Sequence, residues 1–292
     1  MEPMARALGS SLDKNYPDSY VHILPVNRKL GLYAPFIAVV GSVADKLMAK
    51  GVSVSGVPAR TYNLVKPFSG LIRKYVTLFS GGNAVVAGMD PEMKSAVVLD
   101  WSRVYPPEMG DSMAVLEEDG QNGGGFSLKA VDRNTENVAE MNERIRKDIS
   151  GIKEKPENVT TRISVEGVDE LAARLKSIPD STPVEVDYNA RDDSLVFIPY
   201  TSSPDSVELH DVMGHSRGNL EEVRTFIDAG SLKKVAKVFS ESYGTVMTLS
   251  MGNDSPAVFT IPVYQVVEMG ERREGILTAM FSSTGEPLKS LM

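Results

Sequence analysis

The feature that most narrows the possible folds is an order of elements that comes round twice in the second half of the chain. TRISVEG (161–167) alternates as a strand does, and VDELAARLKSI (168–178) places apolar residues at 168, 171, 172, 175 and 178 as an amphipathic helix does. PVEVDYNA (183–190), DSLVFIPY (193–200) and DSVELHDV (205–212) then read as three successive strands, completing one βαβββ unit. A unit of similar plan follows. NLEEVRTFIDAG (219–230) reads as a helix and SLKKVAKVFSE (231–241) as a second short amphipathic segment; GTVMTLSMG, AVFTIPVYQVVE and EGILTAMFSS, between 244 and 283, read as strands. Short helices among many antiparallel strands imply an α+β fold with the helices covering one face of the sheets.

Similar grammar begins earlier. LVKPFSGLIRKYV (64–76) has apolar residues at 64, 65, 68, 71, 72, 75 and 76, the spacing of an amphipathic helix. After the turn SGGN, the runs AVVAGM (84–89) and SAVVLDW (95–101) have strand character and are split by Asp90-Pro91. Two stretches fit this grammar poorly. Within residues 1–62, YAPFIAVVGSVADKLMAKGVSVSG is expected to form an added strand–helix–strand element. Within 108–158 only AEMNERIRKDI reads clearly, as a charged helix with a solvated face.

GHSRG (214–218) fits the nucleophile elbow of serine hydrolases, whose triad runs serine, acid, histidine. The histidines lie at 22, 210 and 215, so none follows Ser216, and His215 is its immediate neighbour. His210 and His215, five apart in strand and turn, point to opposite faces and make no metal pair. The absence of cysteine removes disulfides, thiol nucleophiles and cysteine zinc sites together. Ser231-Leu-Lys-Lys234 matches S-x-x-K without its companion motifs, and Gly81-Gly82 and Gly123-Gly124-Gly125 lack the Gly-Lys-Ser/Thr of a phosphate loop. Asn158-Val-Thr160 and Asn253-Asp-Ser255 match the glycosylation pattern by chance. No catalytic residue, metal or cofactor is therefore expected. The longest apolar candidate, YAPFIAVVGSVADKLM, is broken by Pro35, Gly41 and Asp45 and falls short of the ~18 residues of a membrane span. The N-terminus lacks the basic-then-apolar plan of a signal peptide. The reading is an intracellular protein with no membrane partner.

Charge suggests a partner. The chain as a whole is at −8, yet 64–76 carries Lys66, Arg73 and Lys74 and SLKKVAKVF carries Lys233, Lys234 and Lys237, neither with an acidic residue. At ~100° per residue each trio falls within about a third of a helix circumference. Phosphate neutralisation needs a local basic stripe and not a basic total, so double-stranded DNA becomes a plausible partner. Trp101 is the only tryptophan and aromatic–basic repeats are absent, so sequence-independent backbone tracking fits better than base reading. Arg174 and Lys176 are further candidates, although two residues apart on a helix they diverge by ~200°.

Three stretches carry a family resemblance. GGNAVVAGMDPEMKSAVVLDW resembles the hairpin after the first helix of sliding clamps of the proliferating cell nuclear antigen (PCNA) type. VEGVDELAARLKSIPDSTPVEVDYNARDDSLVFIP resembles the unit opening their second domain, and TVMTLSMGNDSPAVFTIPV followed by GILTAMFSS is similar to their closing strands. The match covers about 64–105 and 160–283, and the order of all three stretches carries it. What the resemblance implies is a DNA-clamp-like α+β fold with antiparallel sheets outside and helices on one inner face, closed into a ring, usually a trimer. It further implies a non-enzymatic processivity factor that encircles duplex DNA, is placed there by a clamp loader and tethers DNA polymerase and other clamp-binding proteins. The domains become 1–62, an N-terminal extension; 63–158, clamp-like domain 1; and 159–292, clamp-like domain 2. Lys66, Arg73, Lys74, Arg174, Lys176, Lys233, Lys234 and Lys237 become DNA-facing, and Met89, Met93, Met280 and Phe281 become the partner-binding positions, with plain core packing as the equal alternative for these four. Ser282-Ser283-Thr284 departs from the Ala-Pro-basic ending common in the family. The alternative class is a non-enzymatic virion or scaffold protein whose α+β repeats only build oligomer contacts.

Overall fold

The computed structural model describes residues 19–23, 37–40, 55–58, 64–68, 70–72, 74–80, 83–90, 92, 94–101, 112–119, 125–130, 136–155, 158–201, 206–209, 215–216, 222–253, 255–267 and 270–284. Its strands are β1 (Ser19–Ile23), β2 (Ile37–Val40), β3 (Ser55–Pro58), β4 (Lys74–Ser80), β5 (Asn83–Met89), β6 (Ser95–Trp101), β7 (Ser112–Asp119) and β8 (Gly125–Ala130). Helix α1 (Glu136–Glu154) follows, then β9 (Val159–Ser164), α2 (Val165–Leu175), β10 (Pro183–Asn189), β11 (Ser194–Pro199), β12 (Val207–Leu209) and β13 (His215–Ser216). The chain continues through β14 (Glu222–Asp228), α3 (Ala229–Ser242), β15 (Val246–Met251), β16 (Ala257–Val267) and β17 (Gly270–Phe281). The protein is α+β, and every strand pairing resolved residue by residue is antiparallel.

Two compact units form. The first is built from the described residues of 1–90, 98–143 and 264–276, the second from those of 91–97, 144–263 and 277–292. In the first, β2-β1-β3 make a small sheet, and β5, β4, β7 and β8 lie side by side in that order. β4 and β5 pair in register from Tyr75–Gly88 to Ser80–Asn83. In the second, one sheet has the order β12-β11-β10-β14 and another holds β13-β9-β15-β16. Of the N-terminal strand–helix–strand expectation, the two strands are present as β2 and β3, and the helix expected between them lies outside the described residues.

Two expected helices are absent, one replaced by a turn and a strand and the other by a strand. The helix expected over 64–76 is only a helical turn at 64–68: Gly70 takes φ +87, a conformation that favours glycine, and Ile72 N–H donates to the Phe68 carbonyl at 3.0 Å. Leu64, Val65, Phe68 and Ile72 are buried, so the helix-like spacing was real but served a turn. From Lys74 on, KYVTLFS supplies the β-branched and aromatic residues that suit a strand paired on both sides, by β5 and β7. The helix expected over 219–230 is likewise overturned by β14. Along EVRTFID, Glu222 and Arg224 are exposed while Val223 and Thr225 are buried, and all seven residues pair with β10. With that correction both units of the second half read βαβββ: β9-α2-β10-β11-β12 and β14-α3-β15-β16-β17.

In the stretch 108–158 the structure supplies the hairpin β7–β8 and α1. Ile145 and Ile149, four apart, bury one stripe of α1, while Glu143, Arg144, Arg146, Lys147 and Asp148 are exposed. The solvated charged face expected there is present.

Candidate nucleic-acid interface

Helices α2 and α3 belong to the second unit and pack against each other. Ser164 caps α2, its hydroxyl accepting from Gly167 N–H at 3.3 Å, and Val168, Leu171 and Leu175 make the buried stripe. Asp228 caps α3: its two carboxylate oxygens accept from Ser231 N–H and Ser231 Oγ, each at 2.7 Å. Leu232, Val235, Val238 and Phe239 bury the inner face of α3, and Tyr243 ends the helix in the left-handed region, at φ 55. The helices run antiparallel. Lys233, near the start of α3, donates to the carbonyl of Ile178, just past the end of α2, while Val246, just after α3, pairs with Ser164 at the start of α2.

The junction between the end of α2 and the start of α3 is tight. Ala229 N–H donates to the Thr182 carbonyl at 2.8 Å and Gly230 N–H to the Asp180 carbonyl at 2.9 Å. A Cβ on Gly230 would lie 2.9 Å from Asp180 Cβ, so only glycine lets the backbones approach this closely. Lys233 completes the junction, its Nζ 2.8 Å from Asp180 Oδ1. That hydrogen bond, then the charge of Lys233 and more weakly that of Lys234, hold the Asp180 carboxyl below its usual range.

The exposed faces of the two helices differ in sign. On α3, Lys233 and Lys234 are half-buried and Lys237 is exposed; Lys234 donates to the Gly230 carbonyl at 3.3 Å, and Glu241 in the last turn is the only acid. On α2, Glu166, Asp169 and Glu170 are exposed alongside Arg174, and Lys176 is exposed at its C-cap. Glu166 is held below the usual carboxylate range by its own backbone N–H and by the Ser164 hydroxyl. The expected second basic helix does not exist: Lys66 is exposed on the helical turn, Arg73 lies outside the described residues, and Lys74 starts β4, in register with Glu117.

No family model and no curated protein matches the sequence. Solved structures do. PCNA from Thermococcus kodakaraensis aligns over 77% of this chain and 96% of its own, with TM-score 0.52 and 12% identity. Proliferating cellular nuclear antigen from Entamoeba histolytica aligns over 77% of this chain and 95% of its own, with TM-score 0.50 and 11% identity. The chain has the PCNA-type clamp fold. At such identities the likeness lies in the arrangement of elements. Within the clamp fold Ser216 stands in β13, opposite Val159, and the chain goes on to the strand β14. Ser216 thus lies in a strand, and the next described element is the strand β14, where a nucleophile elbow needs a helix. Asn158 is buried, its Nδ2 donating to the Ile152 carbonyl at 2.6 Å, and Asn253 Oδ1 accepts from Arg224 N–H at 2.8 Å, so both glycosylation matches are structural asparagines.

Of the four partner-binding expectations, Met89 is half-buried at the end of β5 and Met93 lies outside the described residues. Met280 and Phe281 are 6% and 2% exposed at the end of β17, with Phe281 edge-on to Phe259 at 6.2 Å. Ser282 N–H donates to the Lys94 carbonyl at 2.7 Å and Thr284 N–H to the Phe226 carbonyl at 3.0 Å, so the segment after β17 is tied down by its backbone.

Sequence reasoning missed two sets of residues. Asp180 sits in a turn, SIPDSTP, that is legible as such, but its pairing with Lys233 across 53 residues is tertiary. The other set is a polar cluster on the clamp fold's four-stranded sheet. Glu185, buried, receives Arg224 Nε at 2.7 Å and the Tyr200 hydroxyl at 2.6 Å, and Asp187 lies 3.8 Å from the same guanidinium. Burial raises the Asp187 carboxyl; Arg224 opposes this, and Glu185 and Glu222 add to it. Alternation in β10 and β14 could have put these charges on one face, had β14 been read as a strand.

Proposed function

We propose that this protein is a DNA sliding clamp, a processivity factor that encircles duplex DNA and tethers DNA polymerase and other clamp-binding proteins. The observation that carries the proposal is the clamp fold itself, joined with an exposed face of α3 that is basic in a protein of net charge −8. In the proposed domain plan 1–62 is an extension, 63–158 clamp-like domain 1 and 159–292 clamp-like domain 2. Lys66, Arg73, Lys74, Arg174, Lys176, Lys233, Lys234 and Lys237 face DNA without reading its sequence, each phosphate contact adding to the salt dependence of binding. Met89 and Met93 are the contact positions for a polymerase; Met280 and Phe281, being buried, act as packing beneath the surface. The ring is a homotrimer closed head to tail, with β12, at the edge of the four-stranded sheet, pairing with the next subunit and so relieving an exposed edge. A clamp loader places the ring, and the protein works inside the cell with DNA.

The test is processive synthesis on a primed circular template by the polymerase of the same source. Longer products in the presence of the protein, with single-hit dilution of the polymerase, are the expected result. An assembly of the right mass that leaves product length unchanged would point instead to a scaffold.

A further inference from the structure

We infer that the N-terminal segment completes the first clamp-like domain in permuted order, and that the outer edge of β2 receives β12 of a second copy of this chain. The inference rests on the reading of the protein as a head-to-tail ring and names the strand that β12 meets. The two halves of the chain match element by element. In the second unit β12-β11-β10-β14 make one sheet, and in the first the order β6-β5-β4-β7 repeats it, with β6 taken from Val98 on. β6 thus stands where β12 stands. Helix α1 comes after β7 and β8 as α3 comes after β14. There the agreement in chain order stops: α3 leads into β15, β16 and β17, whereas only residues 155–158 separate α1 from β9.

The strands that do not follow α1 have counterparts at the start of the chain. β15 pairs antiparallel with β9 on one side and β16 on the other. In the same way β1 pairs antiparallel with β3 on one side and β2 on the other. β3 precedes the helical turn at 64–68 as β9 precedes α2. β3, β1 and β2 therefore match β9, β15 and β16, and the first domain is a circular permutation of the second, its closing strands moved ahead of its opening one. Domains tolerate such a change because their termini lie at the surface, often close together. The 1–62 extension is then a working part of the first clamp-like domain. Among the described residues only a counterpart of β17 is lacking.

What β17 does in the first unit shows what that place is for. Its stretch up to Ile276 lies along the outer edge of β6, so close that a Cβ on Gly275 would sit 2.7 Å from the Asp100 carbonyl oxygen. β12 has the equivalent edge and ends its sheet; β2 ends the sheet β2-β1-β3. Each open edge presents unpaired N–H and C=O groups, a liability that pairing relieves. The two edges are matched in length, four residues in β2 and three in β12. Pairing them continues β3-β1-β2 of one copy into β12-β11-β10-β14 of the next, a head-to-tail contact that closes into a ring when its rotation divides a full turn.

The sequence contains no cysteine, so introduced ones are unique attachment points. Full-length Ala38→Cys, in β2, is mixed with affinity-tagged Glu208→Cys, in β12, and treated with a short bismaleimide crosslinker, each protein first checked for unchanged far-UV circular dichroism. The control mixture replaces Glu208→Cys with Ser240→Cys, exposed in the last turn of α3. Should Ala38→Cys fail to fold, Val40→Cys, two residues along the same strand, takes its place. The expected result is a several-fold higher yield of the mixed dimer from positions 38 and 208 than from the control. If sedimentation shows an oligomer and the two yields are equal, or the control yield is higher, β12 meets another strand, and the inference fails while the ring reading stands. If the protein sediments as a monomer and is not retained on circular DNA, both fail.

Discussion

Helices α2 and α3 occupy the same place in two successive βαβββ units, yet they differ where they meet solvent. Both begin at an oxygen-bearing cap, Ser164 or Asp228, and both bury a leucine-and-valine stripe. Their exposed faces diverge: three carboxylates crowd α2, while α3 shows lysines until its last turn. The inner face is dictated by the sheet it covers, so the two helices cannot differ much there. The outer face is free of that constraint, and it is there that the two helices differ in sign.

The comparison breaks first if the inner faces are not equivalent. Leu171→Ala and Leu232→Ala remove side chains that are each 1% exposed, and each is expected to cost ~2–5 kcal/mol in urea unfolding, in line with large-to-small changes in a core. A loss at one position and none at the other would mean that one helix is an accessory. The outer faces come next. Lys234→Ala combined with Lys237→Ala is expected to flatten the plot of log binding constant against log salt for duplex DNA by about 0.9 per lysine. Glu166→Gln combined with Glu170→Gln is expected to leave the slope near that of the parent and to raise affinity slightly.

The smallest effect concerns the Lys233–Asp180 pair. Asp180 is held below its ordinary value by Lys233, so its contribution to stability is complete above the unfolded carboxylate value of about 3.9 and is lost as pH falls through the lower folded value. Both groups lie near the surface, so the effect is modest and screened by salt. Thermal melts taken downward from about pH 5 should show a fall that Asp180→Asn reduces. An identical fall in the variant would show that the pair carries none of it.

Much of the second half was legible because its signals are local. Residues 161–200 give one clean strand, one clean helix and two clean strands, and the structure keeps all four, narrowing the next strand to Val207–Leu209. Reading failed where one spacing served two structures. In 64–76 an apolar set at helix spacing belongs partly to a turn ended by Gly70 and partly to β4, and in 219–230 the neighbouring apolar Phe226 and Ile227 hid the alternation of Val223, Thr225 and Ile227. The basic face of α3 was visible from Lys233, Lys234 and Lys237. Its limits were not, since the Lys233–Asp180 pair joins residues 53 apart and depends on helices already packed.

The central claim, that this clamp fold closes around DNA, is tested most directly by topology. The protein is loaded on nicked circular duplex DNA, freed of unbound material by gel filtration in high salt, and the DNA is then cut once with a restriction enzyme. The expected result is co-elution with the circle and release on linearisation. Equal retention on the circular and the cut molecule, or retention on neither, would contradict a ring that encircles DNA.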